Sequence, residues 1–178
     1  KPAYSIFLIK KWLPSIKGAV TKLTKGGSFA DIGCGFGHST TMIAEQFPQS
    51  SIRGIDPHDQ SIHEAQKIAE QKNLNNLSYE IASAENYSGE YDIISFFDCL
   101  HDMGDPVAAV SYAKTKLRKG GALMIIEPYA SDEVSQNFNI IGQMYYSFST
   151  IACVPASKSQ KVGMALGAQA GLKKLIDV

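Results

Sequence analysis

Phe29-Ala30-Asp31-Ile32-Gly33-Cys34-Gly35-Phe36-Gly37 is the stretch whose reading decides the fold. A short apolar run, Ser28–Ile32, enters three glycines at alternate positions. Helix-forming sequence follows from His38 to Phe47, with Ile43 and Phe47 four apart. Glycine takes up positive φ without a side-chain penalty and lets a ligand approach bare backbone. A helix behind such a loop offers unpaired N–H groups and a partial positive charge. The spacing is G-x-G-x-G, and His38 stands where a dinucleotide loop, G-x-G-x-x-G, has its last glycine. Asp31 would repel a pyrophosphate and attract an ammonium group. Taken alone, the stretch reads equally as a tight strand-to-helix turn with no ligand.

Outward from the loop the same beat repeats. Ile52–Ile55, Leu77–Ala82, Asp92–Phe96 and Ala122–Ile126 read as further strands. Between them, Asp59–Asn73 reads as a helix with Ile62, Ala65 and Ala69 on one face. Ser61 and Glu64 have capping-box spacing there, and a start a residue or two earlier is equally open. Asp105-Pro106 reads as N-cap and first-turn proline of a helix running to Arg118, which Gly120-Gly121 then stops. Strands alternating with helices imply an α/β doubly wound parallel sheet, covered on both faces. Ligands of such sheets sit beyond the carboxyl ends of the strands. Asp56 ends the second strand 19 positions after Gly37, close to the spacing of a ribose-binding carboxylate. Asp56 by itself also reads as a helix cap. In this strand order, Asp31, the glycines and Asp56 together point to a nucleoside ligand.

Ahead of the beat, Tyr4 to Leu13 and Pro14 to Leu23 read as two leading helices. Behind it, Val134 to Cys153 has mixed helical character and Leu172 to Val178 reads as a last helix. Residues 130–165 hold no convincing strand. The chain is expected to be one domain: leading helices 1–25, a ligand-binding core 28–127 and a helical segment 128–178. The 17 Lys and Arg residues balance 17 Asp and Glu, which argues against a nucleic-acid or anionic-membrane binder held by bulk charge. Three widely spaced cysteines, Cys34, Cys99 and Cys153, contain no CxxC. They suggest a reducing, cytoplasmic setting and no metal site.

From Ser28 to about Tyr129 the sequence resembles the class I S-adenosylmethionine-dependent methyltransferases. Phe97-Asp98-Cys99-Leu100-His101-Asp102-Met103-Gly104-Asp105-Pro106 further resembles bacterial members fused to an N-terminal winged helix. The resemblance implies a Rossmann-like fold with S-adenosylmethionine as cofactor and S-adenosylhomocysteine as product. It implies that Asp31 takes the cofactor's ammonium, directly or through water. Gly33, Cys34, Gly35 and Gly37 would carry the loop under ribose and methionine chain, with Cys34 an inert thiol. Asp56 would accept both ribose hydroxyls, and Pro57 would pack on adenine. Ser83 stands where the family often has an acidic adenine contact. Either its hydroxyl or Glu85 accepts there, or the turn is plain loop, while the Ala84 N–H faces a ring nitrogen. Phe97 would border the transferable methyl, or belong to the core.

The family sheet has seven strands and this sequence supplies five, so the chain is expected to be incomplete at its C-terminus, lacking the last two strands, and at its N-terminus too. Methyl transfer needs a base only where the acceptor must lose a proton. His101 is the first candidate, with Asp98 and Asp102 behind it. Bracing of its own loop is the alternative for His101, and Glu127 is a further rim carboxylate. The acceptor pocket is expected from Tyr4 with Phe7, and from Tyr145 and Phe148 with Met144 and Tyr146. An aromatic lid of that kind suits a small organic acceptor. A non-catalytic S-adenosylmethionine-binding regulatory module is the competing reading, and an NAD-dependent dehydrogenase a third. A homo-oligomer is compatible with either of the first two; a nucleic-acid or membrane partner is not expected.

Overall fold

The apolar runs of the sequence become five strands in the computed structural model, which describes residues 2–178. They are β1 (Ser28–Ile32), β2 (Ser51–Asp56), β3 (Leu77–Ile81), β4 (Tyr91–Phe97) and β5 (Leu117–Ile126). Their order across the sheet is β3-β2-β1-β4-β5, and the β1–β2, β1–β4 and β2–β3 pairings are parallel. All of β1 is buried, as a central strand covered on both faces requires. The order reverses between β1 and β4, which makes the carboxyl end of β1 the switch point of the sheet. Strand register aligns the residues around that point. Asp31 lies opposite Gly54 of β2 and Ser95 of β4, and Gly54 lies opposite Tyr79 of β3.

The chain folds as two compact units, one of residues 1–97 and 112–124, the other of residues 98–111 and 125–178. The boundary therefore falls after Phe97, inside the stretch expected to be one core. The first unit opens with α1 (Pro2–Phe7), a π-helical turn (Leu8–Trp12) and α2 (Leu13–Ser15). Pro14 lies in the first turn of α2, but that helix ends at Ser15 and does not run on to Leu23. Ile16 is extended and Gly18 has φ 78°, so α3 starts at Ala19 and runs to Thr24. α4 (His38–Gln46) follows the glycine loop, and α5 (Asp59–Gln71) follows β2. The cap of α5 is His58, whose ring nitrogen accepts the Ser61 N–H, so Ser61 is inside the helix and not its cap.

α6 (Pro106–Lys116) begins as expected, with Asp105 Oδ1 accepting the Ala108 N–H at 2.9 Å. Its end differs. β5 starts at Leu117, and Gly120-Gly121 lie within the strand. Tertiary pairing outweighs the local stop signal there: Arg118 pairs with Asp92 at 3.2 Å, and Lys22 Nζ donates to the Gly120 carbonyl at 2.5 Å.

The second unit is helical. It holds 3-10 turns at Leu100–Asp102 and Val134–Asn137, α7 (Ile140–Phe148), a π-helical turn (Ser149–Cys153), α8 (Val154–Lys158) and α9 (Leu172–Ile176). Asn139 caps α7 by accepting the Gly142 N–H. Polar bonds tie its two chain segments together. Ser157 Oγ donates to the Met103 carbonyl at 2.7 Å, and the Gln160 amide bonds Gly104 N–H and the Asp102 carbonyl. Residues 130–178 contain no strand. Among the described residues no helix is long and apolar enough to cross a membrane.

Candidate active site

The sequence-predicted residues fall into two groups, one in each unit. In the first unit, Gly33, Gly35 and Gly37 all have positive φ, at 70°, 52° and 69°. The loop is pinned to β2 by Gly33 and Cys34 N–H groups donating to the Ile55 carbonyl. Asp56, at the end of β2, turns toward it: Oδ2 accepts the Gly35 N–H and Oδ1 the His58 N–H, both at 2.9 Å. A Cβ placed on Gly35 would meet nothing within 4 Å, so the loop presents an open face there.

Asp31 is placed differently from expectation. It has no exposure at all, so its carboxylate is not on the surface of a cleft, and direct contact with a ligand is not available to it in this arrangement. Ser39 and Thr40 hydroxyls each donate to Oδ2 at 2.7 Å, and Ser95 donates to Oδ1 at 3.1 Å. The charge thus ties the first turn of α4 to β1 and β4. Burial pushes its carboxyl up to about 6, against the three hydroxyl bonds that pull it down. Sequence reasoning missed this hydroxyl cradle. Its only local signal is Ser39-Thr40 in the first turn after the glycines.

Tyr79 is a second residue that sequence reasoning passed over. Its ring lies across the bare backbone of Gly54, where a Cβ would come within 2.5 Å of two ring carbons and 2.9 Å of Cys34 Sγ. It also abuts Gly37, whose carbonyl accepts from its hydroxyl at 3.5 Å. Burial pushes the Tyr79 phenol up to about 12, so it remains a donor. Burial likewise pushes the Cys34 thiol well above its ordinary range, with Asp31 and Asp56 adding to the effect, which keeps it protonated.

Pro57 and Ser83 are exposed and Ala84 is half-buried, in a turn closed by the Asn86 N–H donating to the Ser83 carbonyl. Glu85 is exposed. Phe97 is buried and meets Tyr4 edge-on, with ring centroids 5.7 Å apart at 85°. Tyr4 also meets Trp12 edge-on at 5.3 Å. These two expectations, made from distant parts of the chain, come together.

In the second unit, Asp98 has φ 56°, a left-handed conformation uncommon outside glycine, and its N–H donates to the Ile126 carbonyl at 2.7 Å. His101 is buried. Its Nδ1 is hydrogen-bonded to Glu127 Oε2, whose side chain is only 4% exposed. Glu127 Oε1 accepts the N–H groups of Cys99 and Leu100, so this carboxylate organises the whole turn. His101 Nε2 lies 3.3 Å from Asp102 Oδ1. Tyr145 and Phe148 lie on α7, half-buried and exposed.

The family model described as "Methyltransferase domain" matches residues 23–171. The chain is 30% identical over 105 residues to trans-aconitate 2-methyltransferase of Deinococcus radiodurans, covering 59% of this chain and 39% of that one. It is 28% identical over 154 residues to tRNA U34 carboxymethyltransferase of Campylobacter lari, covering 80% and 50%. The chain thus spans half or less of these curated relatives. Among solved structures, YcgJ of Bacillus subtilis superposes with a TM-score of 0.65 at 18% identity, over 86% of this chain and 59% of that one. Coclaurine N-methyltransferase bound to N-methylheliamine and SAH gives 0.53 at 19% identity, over 57% and 31%. A β3-β2-β1-β4-β5 sheet whose glycine loop is braced by Asp56, together with a family match over most of the sequence, places this chain in the methyltransferase-domain family, on the class I fold.

Proposed function

We propose that the chain is the cofactor-binding part of an S-adenosylmethionine-dependent methyltransferase acting on a small-molecule acceptor. The observation that carries the reading is the Asp56 carboxylate held against the open face of the Gly33–Gly37 loop. A half-buried carboxylate with oxygens already fixed by two backbone N–H groups keeps lone pairs in a set direction, which suits a ribose diol. The loop admits a chain passing over bare backbone, and the buried Asp31 charge favours an ammonium through its hydroxyl cradle or water. Pro57, Ser83 and Ala84 would flank the adenine, with the Ala84 N–H as donor. Phe97 and Tyr4 would form the apolar wall beside the methyl.

When bound, the cofactor supplies a sulfonium-activated methyl group. The residues of this chain then hold the acceptor in line and exclude water, which is chiefly an orientation task. Where the acceptor must lose a proton, His101 is the proposed base. Glu127 on its Nδ1 fixes the ring, which leaves Nε2, beside Asp102 Oδ1 at 3.3 Å, as the nitrogen that would accept. Asp98 is the second candidate. Tyr145 and Phe148 are the proposed acceptor contacts of the second unit.

Small-molecule acceptors are supported by the balanced charge of the chain and by relatives such as the trans-aconitate enzyme. The tRNA-modifying relative makes tRNA the control substrate. The test is release of S-adenosylhomocysteine from S-adenosylmethionine over a panel of carboxylate, phenol and amine acceptors, with tRNA in parallel. Turnover with a small acceptor supports the proposal. Cofactor binding without turnover on any acceptor favours a regulatory binding module, and turnover on tRNA alone contradicts the acceptor assignment.

A further inference from the structure

We propose that the second unit contains a divalent-cation site of zinc type, built from His101, Asp102 and Cys153. No sequence motif announces it, because Cys153 lies far along the chain from the other two. The fold brings the three together: one ligand atom from each lies within 4.8 Å of the others. The His101 Nε2 to Asp102 Oδ1 distance is 3.3 Å. Two bonds of about 2.0–2.1 Å at a tetrahedral angle span about 3.3–3.4 Å, so this edge already has the length that a zinc ion requires. Nitrogen, carboxylate oxygen and thiolate sulfur are the donor types that zinc takes.

Two further observations point to an ion. Asp102 Oδ1 is a buried atom that makes no well-formed hydrogen bond, with His101 Nε2 and the Cys153 thiol as its polar neighbours, although the rest of its side chain reaches solvent. A buried carboxylate oxygen so weakly partnered is costly, and a cation is the partner that removes the cost. The imidazole is also already oriented as a ligand. Its Nδ1 is bonded to Glu127, and Glu127 is itself held by two backbone N–H groups. A carboxylate behind a metal-ligating histidine is the usual supporting arrangement. The neighbouring set Asp98, His101 and Glu127 also converges, but there Glu127 is committed to the ring and the backbone, which makes it the support and not the ligand.

Three protein ligands leave a fourth position for water or for an acceptor heteroatom. On coordination Cys153 gives its proton to solvent, and the ion joins the Leu100–Asp102 turn to the end of the Ser149–Cys153 turn. A bound ion on Nε2 and a metal-free imidazole base are alternative states of one residue. Ion-loaded protein would activate an acceptor by polarising it, in place of the base. The binding itself does not depend on methyl transfer.

Equilibrium dialysis of the whole chain against buffered zinc is expected to give one ion per chain. Cys153→Ser should weaken binding about 100-fold, Asp102→Asn about 10-fold and Glu127→Gln about 10–100-fold. His63→Ala, on the exposed face of α5, should leave it unchanged. Cobalt(II) loading should produce a thiolate-to-metal charge-transfer band that is absent from Cys153→Ser. If that variant fails to fold, Asp102→Asn on its half-exposed side chain carries the same comparison. Failure to retain zinc, zinc retention indifferent to Cys153→Ser and Asp102→Asn, or cobalt binding without the thiolate band would each overturn the proposal.

Discussion

Two buried carboxylates anchor the two units, and they are satisfied in different ways. Asp31 is surrounded by neutral hydroxyls, from Ser39, Thr40 and Ser95. Glu127 is held by an imidazole and two backbone N–H groups. Hydroxyls satisfy hydrogen bonding but bring no opposite charge, so burial still disfavours the ionised form of Asp31. The Glu127 arrangement is a paired one, in which each partner's burial depends on the other. The first arrangement leaves a charge disfavoured by burial, which the proposed cationic ligand would relieve. The second holds a turn in place, and its failure mode is loss of structure.

The largest effect should come from breaking the paired side. Glu127→Ala leaves His101 and two N–H groups without their acceptor, and should cost about 3–5 kcal/mol. Hydrogen exchange should show the loss concentrated in residues 98–111 and 125–178. Uniform loss across both units would mean that Glu127 is not local in its action.

Asp31→Asn tests the other side, with the opposite sign. A carboxyl whose folded-state value is raised from 3.8 to about 6 binds its proton more tightly when folded. Stability is therefore fullest below 3.8 and falls as pH rises through about 6. The variant should remove that slope and, without ligand, gain up to about 3 kcal/mol at neutral pH. Urea unfolding at about pH 4, 6 and 8 brackets that window; a wild-type profile flat over that range would remove the assignment of strain to this carboxylate.

A smaller effect sharpens the packing beside the loop. Gly54→Ala drives a methyl group into the Tyr79 ring, at an expected cost of about 1–3 kcal/mol. Tyr79→Ala in the same chain should recover most of it, so the coupling in a double-mutant cycle is the quantity to read. The smallest effect lies in the second unit. Val162 has φ 74° and is exposed, an outlier for a β-branched residue. Val162→Gly should stabilise by about 1 kcal/mol in the same denaturation assay.

The same contrast explains what the sequence made legible. Strands β1 to β4 were readable within a residue or so: β1 and β4 are continuous buried apolar runs, and β2 and β3 are short apolar-rich segments, all bounded by glycine and polar turns. The glycine loop and Asp56 were readable because their partners follow at fixed spacing within one βαβ unit. The start of β5 was not, because Arg118 and Gly120 are placed by Asp92 and Lys22 from distant parts of the chain. The hydroxyl cradle of Asp31 depended on sheet register, which puts Ser95 opposite it. The meeting of Cys153 with His101 and Asp102 depended on the packing of irregular helical turns, for which no periodicity exists. The matches found give no support to the finer likeness to winged-helix-fused enzymes.

The central claim is that the face of the Gly33–Gly37 loop, gripped by Asp56, is a seat for an adenosyl amino acid. Titration calorimetry with S-adenosylhomocysteine on wild type and Asp56→Ala measures it most directly, with NAD as the comparison ligand. The account predicts one site per chain, no heat with NAD, and an affinity lower by about 10–100-fold in the variant, from the loss of charge-assisted bonds. Equal affinity in both proteins, or preference for NAD, would contradict it.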